Sequence, residues 1–152
     1  MDKGQLSEYW TKYKATFNTP EFEKHEYYKW IVLAQCYQKW DWTVKDKAAM
    51  FKNTFDVKGP KNLWMSGQFY PTKMLDQFFE IDAEDVTSQF DVLFDETKEL
   101  NVRIQSFIDF NASYLPKLKE VKPDDIIENH YHGDLRAISL YLTLQYEFNN
   151  QM

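Results

Sequence analysis

Large aromatic rings recur along this chain at helical spacing, and very little in it would interrupt a helix. Of 152 residues, 12 are Phe, 10 Tyr and 5 Trp, while Gly numbers 4 and Pro 5. Apolar residues return at i, i+3, i+4 and i+7 in one segment after another, and no stretch sustains the period of two that a strand requires. Each helix of that kind must lay its apolar stripe on another helix. The rings also exclude disorder, because burying them offsets the entropy lost on ordering. The expected fold class is all-α: a single compact domain over residues 1–152, of about seven helices, with a polar connection before the last.

The spacing places the elements. A first helix over 5–16 carries Tyr9, Trp10, Tyr13 and Phe17 on its apolar side. Thr19-Pro20-Glu21 reads as a cap, a first-turn proline and an acid favoured by the helix dipole. The next helix bears two apolar stripes, one of Tyr27, Trp30, Ile31, Ala34 and Tyr37, the other of Leu33, Cys36 and Trp40. Two stripes predict burial on two sides, near the centre of the fold. Thr43 is expected to cap a helix with Val44, Ala48, Phe51 and Phe55 inward, and Gly59-Pro60 marks a turn. A short helical segment over 61–66 ends at Gly67. Pro71 opens a helix with Met74, Leu75, Phe78 and Phe79 inward, and Asp82 caps another with Val86, Phe90, Leu93 and Phe94. A longer helix over 100–115 should stop at Pro116. Residues 116–133 read as the polar connection, and Asp134 as the cap of the last helix.

Charge divides the chain in two. Residues 1–61 form an aromatic, basic part with 11 Lys against 8 acids, whereas residues 62–152 carry 7 basic and 16 acidic groups. Within the second part, residues 76–99 hold nine acids and a single base, Lys98; between 39 and 73 the balance reverses, with seven lysines against Asp41, Asp46 and Asp56. The net charge of −6 disfavours polyanions as a whole, yet a local basic face acts within a Debye length of about 8–10 Å.

Several chemistries are excluded by what is missing from the pattern. The glycines Gly4, Gly59, Gly67 and Gly133 form neither a GxxxxGK loop nor a GxGxxG turn, so nucleotide hydrolysis is not expected. Cys36 alone builds no disulfide framework and no cysteine metal knuckle. The longest uninterrupted apolar run, 30–34, is far below the ~20 residues of a membrane span, and the first residues lack a signal peptide's apolar core. These features predict a soluble, cytoplasmic protein with no membrane partner and no cofactor.

Four constellations merit weighing. A restriction-type nuclease centre places Pro-Asp ahead of acid-x-Lys, but here Glu120-Val121-Lys122 precedes Pro123-Asp124, so no such centre is expected. His130, His132 and Asp134 offer metal-ligand chemistry, with a polar turn before a capped helix as the plainer reading; no metal site is assigned. Asp91, Asp95 and Glu99, four apart, read as a solvated acidic face. The fourth is the stretch 39–73, where Lys45, Lys47, Lys52, Lys58, Lys61 and Lys73 are interleaved with Trp40, Trp42 and Trp64. Lysines neutralise phosphates, and exposed tryptophans stack on bases for roughly 1–3 kcal/mol each. The alternative is tryptophans in the core and lysines on ordinary surface. Only Arg103 and Arg136 supply the forked guanidinium suited to reading base edges. The candidate nucleic-acid-binding set is Lys45, Lys47, Lys52, Lys58, Lys61, Trp42 and Trp64, and no residue is assigned a catalytic role.

The segments YPTKML (70–75), FDVLFDETKELNVRIQSFIDF (90–110) and HGDLRAISLYLTLQY (132–146) carry a resemblance. Tyr70, Pro71, Met74, Leu75, Phe90, Leu93, Phe94, Asp95 and Glu96 resemble the start of a helical region found before the AAA+ module in McrB-like restriction GTPases. Arg103, Ile104, Phe107, Tyr131, Asp134, Arg136, Ala137, Ile138, Ser139, Tyr141 and Leu142 continue the likeness. The chain departs from that pattern at His132-Gly133-Asp134, where the family tends to have Gln-Asp, and in ending at Met152 where the family continues. The resemblance implies an excised N-terminal domain or a split protein. It also implies a non-catalytic target-recognition module of an anti-phage restriction system, with the AAA+ GTPase and nuclease subunit of that system as partners. Combined with the lysine-rich stretch, it points to binding nucleic acid, DNA in particular. The alternative is an adaptor whose acidic 76–99 surface meets another protein or another copy of the chain, without binding nucleic acid. Arg103 and Arg136 lie among apolar neighbours, where a salt bridge to an acid such as Glu99 is expected.

Overall fold

The computed structural model describes residues 3–17 and 19–151. Among them run helices α1 (Lys3–Thr16), the single turn α2 (Pro20–Phe22), a π-helical turn (Glu23–Tyr27), α3 (Tyr28–Lys39), α4 (Lys47–Phe55) and α5 (Pro71–Ile81). They continue with α6 (Ala83–Phe94), α7 (Leu100–Val121) and α8 (Arg136–Gln151). No strand occurs among the described residues, only an isolated antiparallel bridge between Ser66 and Phe69. The fold is all-α, as the periodicity predicts.

Helix α6 is the hub. It packs against α4, α5, α7 and α8, while α3 lies across α4 and α8. Phe90 of α6 is fully buried, its ring 4.9–6.3 Å from those of Trp42, Phe51, Phe79, Phe94, Phe107 and Tyr141. Tilted and edge-on pairs of this kind add about 0.5–1.5 kcal/mol each beyond the area they bury. Six ring neighbours, from α4 to α8 and the loop before α4, make Phe90 the point where those elements meet.

Side-chain caps open α2, α4 and α6. Thr19 Oγ1 accepts from the Phe22 N–H at 3.2 Å, and Asp82 accepts from the Asp85 N–H at 3.0 Å to open α6. Pro71 sits in the first turn of α5, where its missing N–H costs nothing. Three features differ from the sequence reading: residues 61–66 form a turn and not the expected short helix, and two helix boundaries lie elsewhere. Asp46, not Thr43, caps α4, accepting from the Ala49 N–H at 2.9 Å. Thr43 is engaged in a local turn instead, its N–H and hydroxyl both donating to Asp41 at 2.8 and 2.6 Å. Helix α7 also runs through Pro116 to Val121. A proline inside a helix costs one hydrogen bond and a steric clash, about 3 kcal/mol. Tyr114 and Leu118, both buried, anchor the turns on either side of it and offset that cost.

The largest departure concerns α3. Of the expected stripe Leu33, Cys36 and Trp40, the last two are buried and Leu33 is half-buried, with Val32 buried beside them. The other stripe is not covered: Tyr27, Trp30, Ile31 and Ala34 are exposed. Because α4 and α8 both pack on one side of it, α3 forms an edge of the domain rather than its centre.

Candidate functional site

The lysines of 39–73 gather around α4, but much of their charge is already used. Lys39 Nζ donates to the Asn53 and Asp56 carbonyls at 3.0 and 2.5 Å, where the negative dipole end of α4 favours a cation. Lys61 Nζ lies 3.4 Å from Asp56 Oδ1. Lys47 Nζ donates to the Val44 carbonyl at 2.5 Å and sits 5.4 Å from the centre of the Trp42 ring. Lys45, Lys52 and Lys58 are exposed, as is Lys73 on α5. Lys52 faces Asp76, whose carboxyl is pushed up to about 6 by burial, with Lys52 drawing it down and Glu80 raising it further. Lys45 shares a shallow depression with Asp46 and Glu84. Amines and carboxylates are interleaved, not segregated.

The tryptophans assigned to stacking are occupied. Trp64 is 0% exposed, its ring edge-on to Phe55 at 5.1 Å, so it is a core residue and cannot receive a base. The single turn containing it explains why: the Trp64 and Met65 N–H groups both donate to the Lys61 carbonyl, and Gly67 at φ 58° reverses the chain, folding the indole inward. Trp42 is half-buried, stacked on Trp40 at 5.4 Å, and its Nε1 donates to Asp91 Oδ1 at 2.9 Å. Of the proposed set, the structure leaves Lys45, Lys52 and Lys58 open to solvent, withdraws Trp64, and gives Trp42, Lys47 and Lys61 internal partners.

The acids of 76–99 are similarly committed. Asp82 caps α6, Asp91 holds Trp42, and Asp85 accepts from the Tyr114 hydroxyl and lies 3.8 Å from Lys117 Nζ. Asp95 accepts from the Thr97 N–H and hydroxyl, which hold its carboxyl below the usual range and shape the break between α6 and α7. Arg103 finds no acid: its Nη1 donates to the Leu93 carbonyl at 2.8 Å, near the C-terminal end of α6. Glu80, Glu84, Glu96 and Glu99 remain exposed.

Between α7 and α8 the connection folds against the core through Ile127 and His132. Tyr131 and Leu135 both take left-handed φ values, 64° and 68°, on either side of His132. Asn129 accepts from the Tyr131 N–H at 2.7 Å and Asp134 from the Arg136 N–H at 3.1 Å, local bonds that offset the strain. His132 is fully buried, 3.2 Å from the Tyr141 hydroxyl through Nε2, and burial drives its pKa down to about 3, with His130 adding repulsion. Asp134 is taken up by Arg136, at 2.8 and 2.5 Å, which keeps its carboxyl below the usual range. Thus Arg136 does pair with an acid, its own neighbour. The guanidinium also lies 3.8 Å over the Phe69 ring, lining an open cavity of about 790 Å³ with Ser66, Gln68 and Tyr131. Among the described residues, no three His, Cys, Asp or Glu side chains converge as metal ligands. Cys36 is buried, and burial raises its thiol to about 12, which leaves no thiolate near neutral pH.

What the sequence reading passed over is the exposure of the N-terminal aromatics. On α1, Tyr9, Trp10 and Tyr13 are exposed, as is Phe17 just past its end, and on the π-helical turn and α3 so are Tyr27, Trp30 and Ile31. The signal was present in the two apolar stripes of α3. It was read as core because periodicity reports that a stripe wants cover, and does not say what supplies it.

No helix of the described residues is long and apolar enough to cross a membrane. Compared with protein-family models, curated proteins and solved structures, the chain matches none.

Proposed function

We propose that the chain is a non-catalytic interaction module, an adaptor in an assembly of the McrB-like restriction type that its second half resembles. The carrying observation is the exposure of aromatic side chains near the N-terminal end: Tyr9, Trp10, Tyr13, Phe17, Tyr27 and Trp30 are left 40–62% open, and such rings are suited to docking protein. The proposed adaptor surface is these rings and not the 76–99 acids, four of which cap, brace or hold other parts of the same domain. The AAA+ GTPase and nuclease subunit of such a system are the proposed eventual partners.

Nucleic-acid recognition is the second reading, favoured by the solvent-exposed Lys45, Lys52 and Lys58. The two readings differ in salt response. Phosphate contacts make log affinity fall linearly with log salt, by about 0.9 per contact on duplex DNA. Polarisation of labelled single- and double-stranded DNA, plain and cytosine-modified, should show no steep salt dependence and no change in Lys45→Glu/Lys52→Glu. Tight binding at low salt that this double variant abolishes would replace the adaptor reading with the nucleic-acid one.

A further inference from the structure

We propose that the two cavities lined in common by Tyr131 receive an arginine side chain of a partner polypeptide. The site goes beyond the adaptor reading. Its lining residues lie between 66 and 136 and include none of the N-terminal rings, so either reading can fail without the other.

A shared wall is the first support. The open cavity of about 790 Å³ beside Arg136 and a second of about 370 Å³ beside Tyr70 both use Ile126, Glu128, Asn129 and Tyr131. Both volumes fall within the ~300–1,000 Å³ of ligand sites. Ile126, Glu128 and Asn129 are exposed, and a cavity with so open a wall suits a side chain still attached to its polypeptide. Tyr131 is half-buried, with a φ of 64° that an aromatic residue rarely adopts. Backbone strain of that kind, held here by Asn129 accepting from the Tyr131 N–H, clusters at ligand sites.

Ring geometry is the second. The Tyr131 ring lies 6.1 Å from that of Phe69 at 80° and 6.2 Å from that of Tyr70 at 88°. Rings set nearly perpendicular about one member are the elements of an aromatic cage, which attracts organic cations. The molecule already holds a guanidinium this way. Arg136 lies 3.8 Å over the Phe69 ring while its Nε and Nη2 donate to Asp134. Tyr131 and Glu128, on the shared wall, offer a second ring and carboxylate to a guanidinium from outside.

Charge is the third. Asp125 and Glu128 are exposed and form no ion pair among the described residues, whereas Asp134 and Arg136 close on each other. The N-terminus of α8 would draw an anion here, but Asp134 already accepts from the Arg136 N–H and answers it. Lys73 is the one amine lining either cavity among the described residues, so two uncommitted acids outweigh it. No three acid or histidine side chains converge there as a metal ion would need. A delocalised guanidinium asks less: a ring face, a carboxylate and an apolar rest for its methylenes. Ile126, 92% exposed, supplies that rest.

Nuclear magnetic resonance titration of the whole ¹⁵N-labelled chain with the peptide acetyl-Gly-Arg-Gly-amide tests this. Saturable amide shifts should fall on residues 66–70 and 125–136, with a millimolar Kd. Replacing the peptide arginine by citrulline, which keeps the shape and loses the charge, should weaken binding about tenfold. Lysine should bind less tightly than arginine, glutamate should not bind, and free L-arginine should bind no tighter than the peptide. Asp125→Asn/Glu128→Gln should weaken the arginine peptide about fivefold, and Lys73→Ala should tighten it about twofold. All three positions are exposed, so these variants should keep the wild-type fold. Tyr131→Gly, which accepts the left-handed backbone, should abolish binding. No saturable shift, shifts confined to other segments, or citrulline or lysine equalling arginine would each overturn the site. Tighter binding of free arginine than of the peptide would overturn the polypeptide partner. The charge variants decide the matter even if Tyr131→Gly misfolds.

Discussion

At the scale of single residues, two buried titratable groups pull stability in opposite directions with pH. His132 is held neutral, its pKa at about 3 against 6.5 when unfolded, so the unfolded chain binds more protons in between. Its contribution is full above pH 6.5 and is lost as pH falls toward 3. Asp76 has the reverse sign: raised from 3.8 to about 6, it keeps its proton longer in the fold, so its contribution falls as pH rises through that window. The displacement of His132 is the larger, so urea midpoints should rise between pH 4 and 6.5. His132→Asn should flatten or invert that rise, and Asp76→Asn should steepen it; a profile unchanged in both variants would show that neither group governs it. Phe90 gives a larger effect of another kind. Removing a fully buried ring with six aromatic neighbours costs about 3–5 kcal/mol, so Phe90→Ala should leave little folded protein at 37 °C. Thiol labelling reports the same core: Cys36 should react with disulfide reagents only as fast as the domain opens.

At the scale of elements, caps and breakers were the most legible features and also the ones with instructive failures. Asp82 was read correctly because an acid directly before a helical stripe has one obvious job. Thr43 was misread because Asp41 two residues earlier captures both of its donors, a competition that the order of residues alone does not rank. Asp82→Ala should destabilise by about 1 kcal/mol, measured by denaturant unfolding. Pro116 was read as a stop because a proline lacks the amide a helix interior needs. Tertiary burial of Tyr114 and Leu118 overrides it. Pro116→Ala should therefore stabilise, by roughly 2 kcal/mol once the greater freedom of the unfolded alanine chain is subtracted from the ~3 kcal/mol helix penalty. A loss of stability instead would mean that the proline serves the turn of α7 rather than straining it.

At the scale of the whole molecule, net charge and core pull apart. The −6 charge belongs mostly to α5–α8 and their connections, while the aromatic surface lies at the N-terminal end. The lysine edge was legible as composition, but its meaning was not. Seven lysines between 39 and 73 look like a stripe in one dimension; folded, Lys39 and Lys61 serve the C-terminal end of α4, Lys47 covers Trp42, and Lys52 confronts Asp76.

The order of residues by itself determined that the chain is helical and where most helices start. Those follow from local periodicity, capping chemistry and hydrophobicity, all of which act within a turn or two of the backbone. Only the tertiary structure decided which apolar stripe is covered and which charge is free. Those outcomes depend on what distant segments bring to within a few ångströms. Trp64 and Trp30 are the same residue type, yet one is sealed under Phe55 and the other is 62% exposed, because distant segments close over the first and leave the second open to solvent.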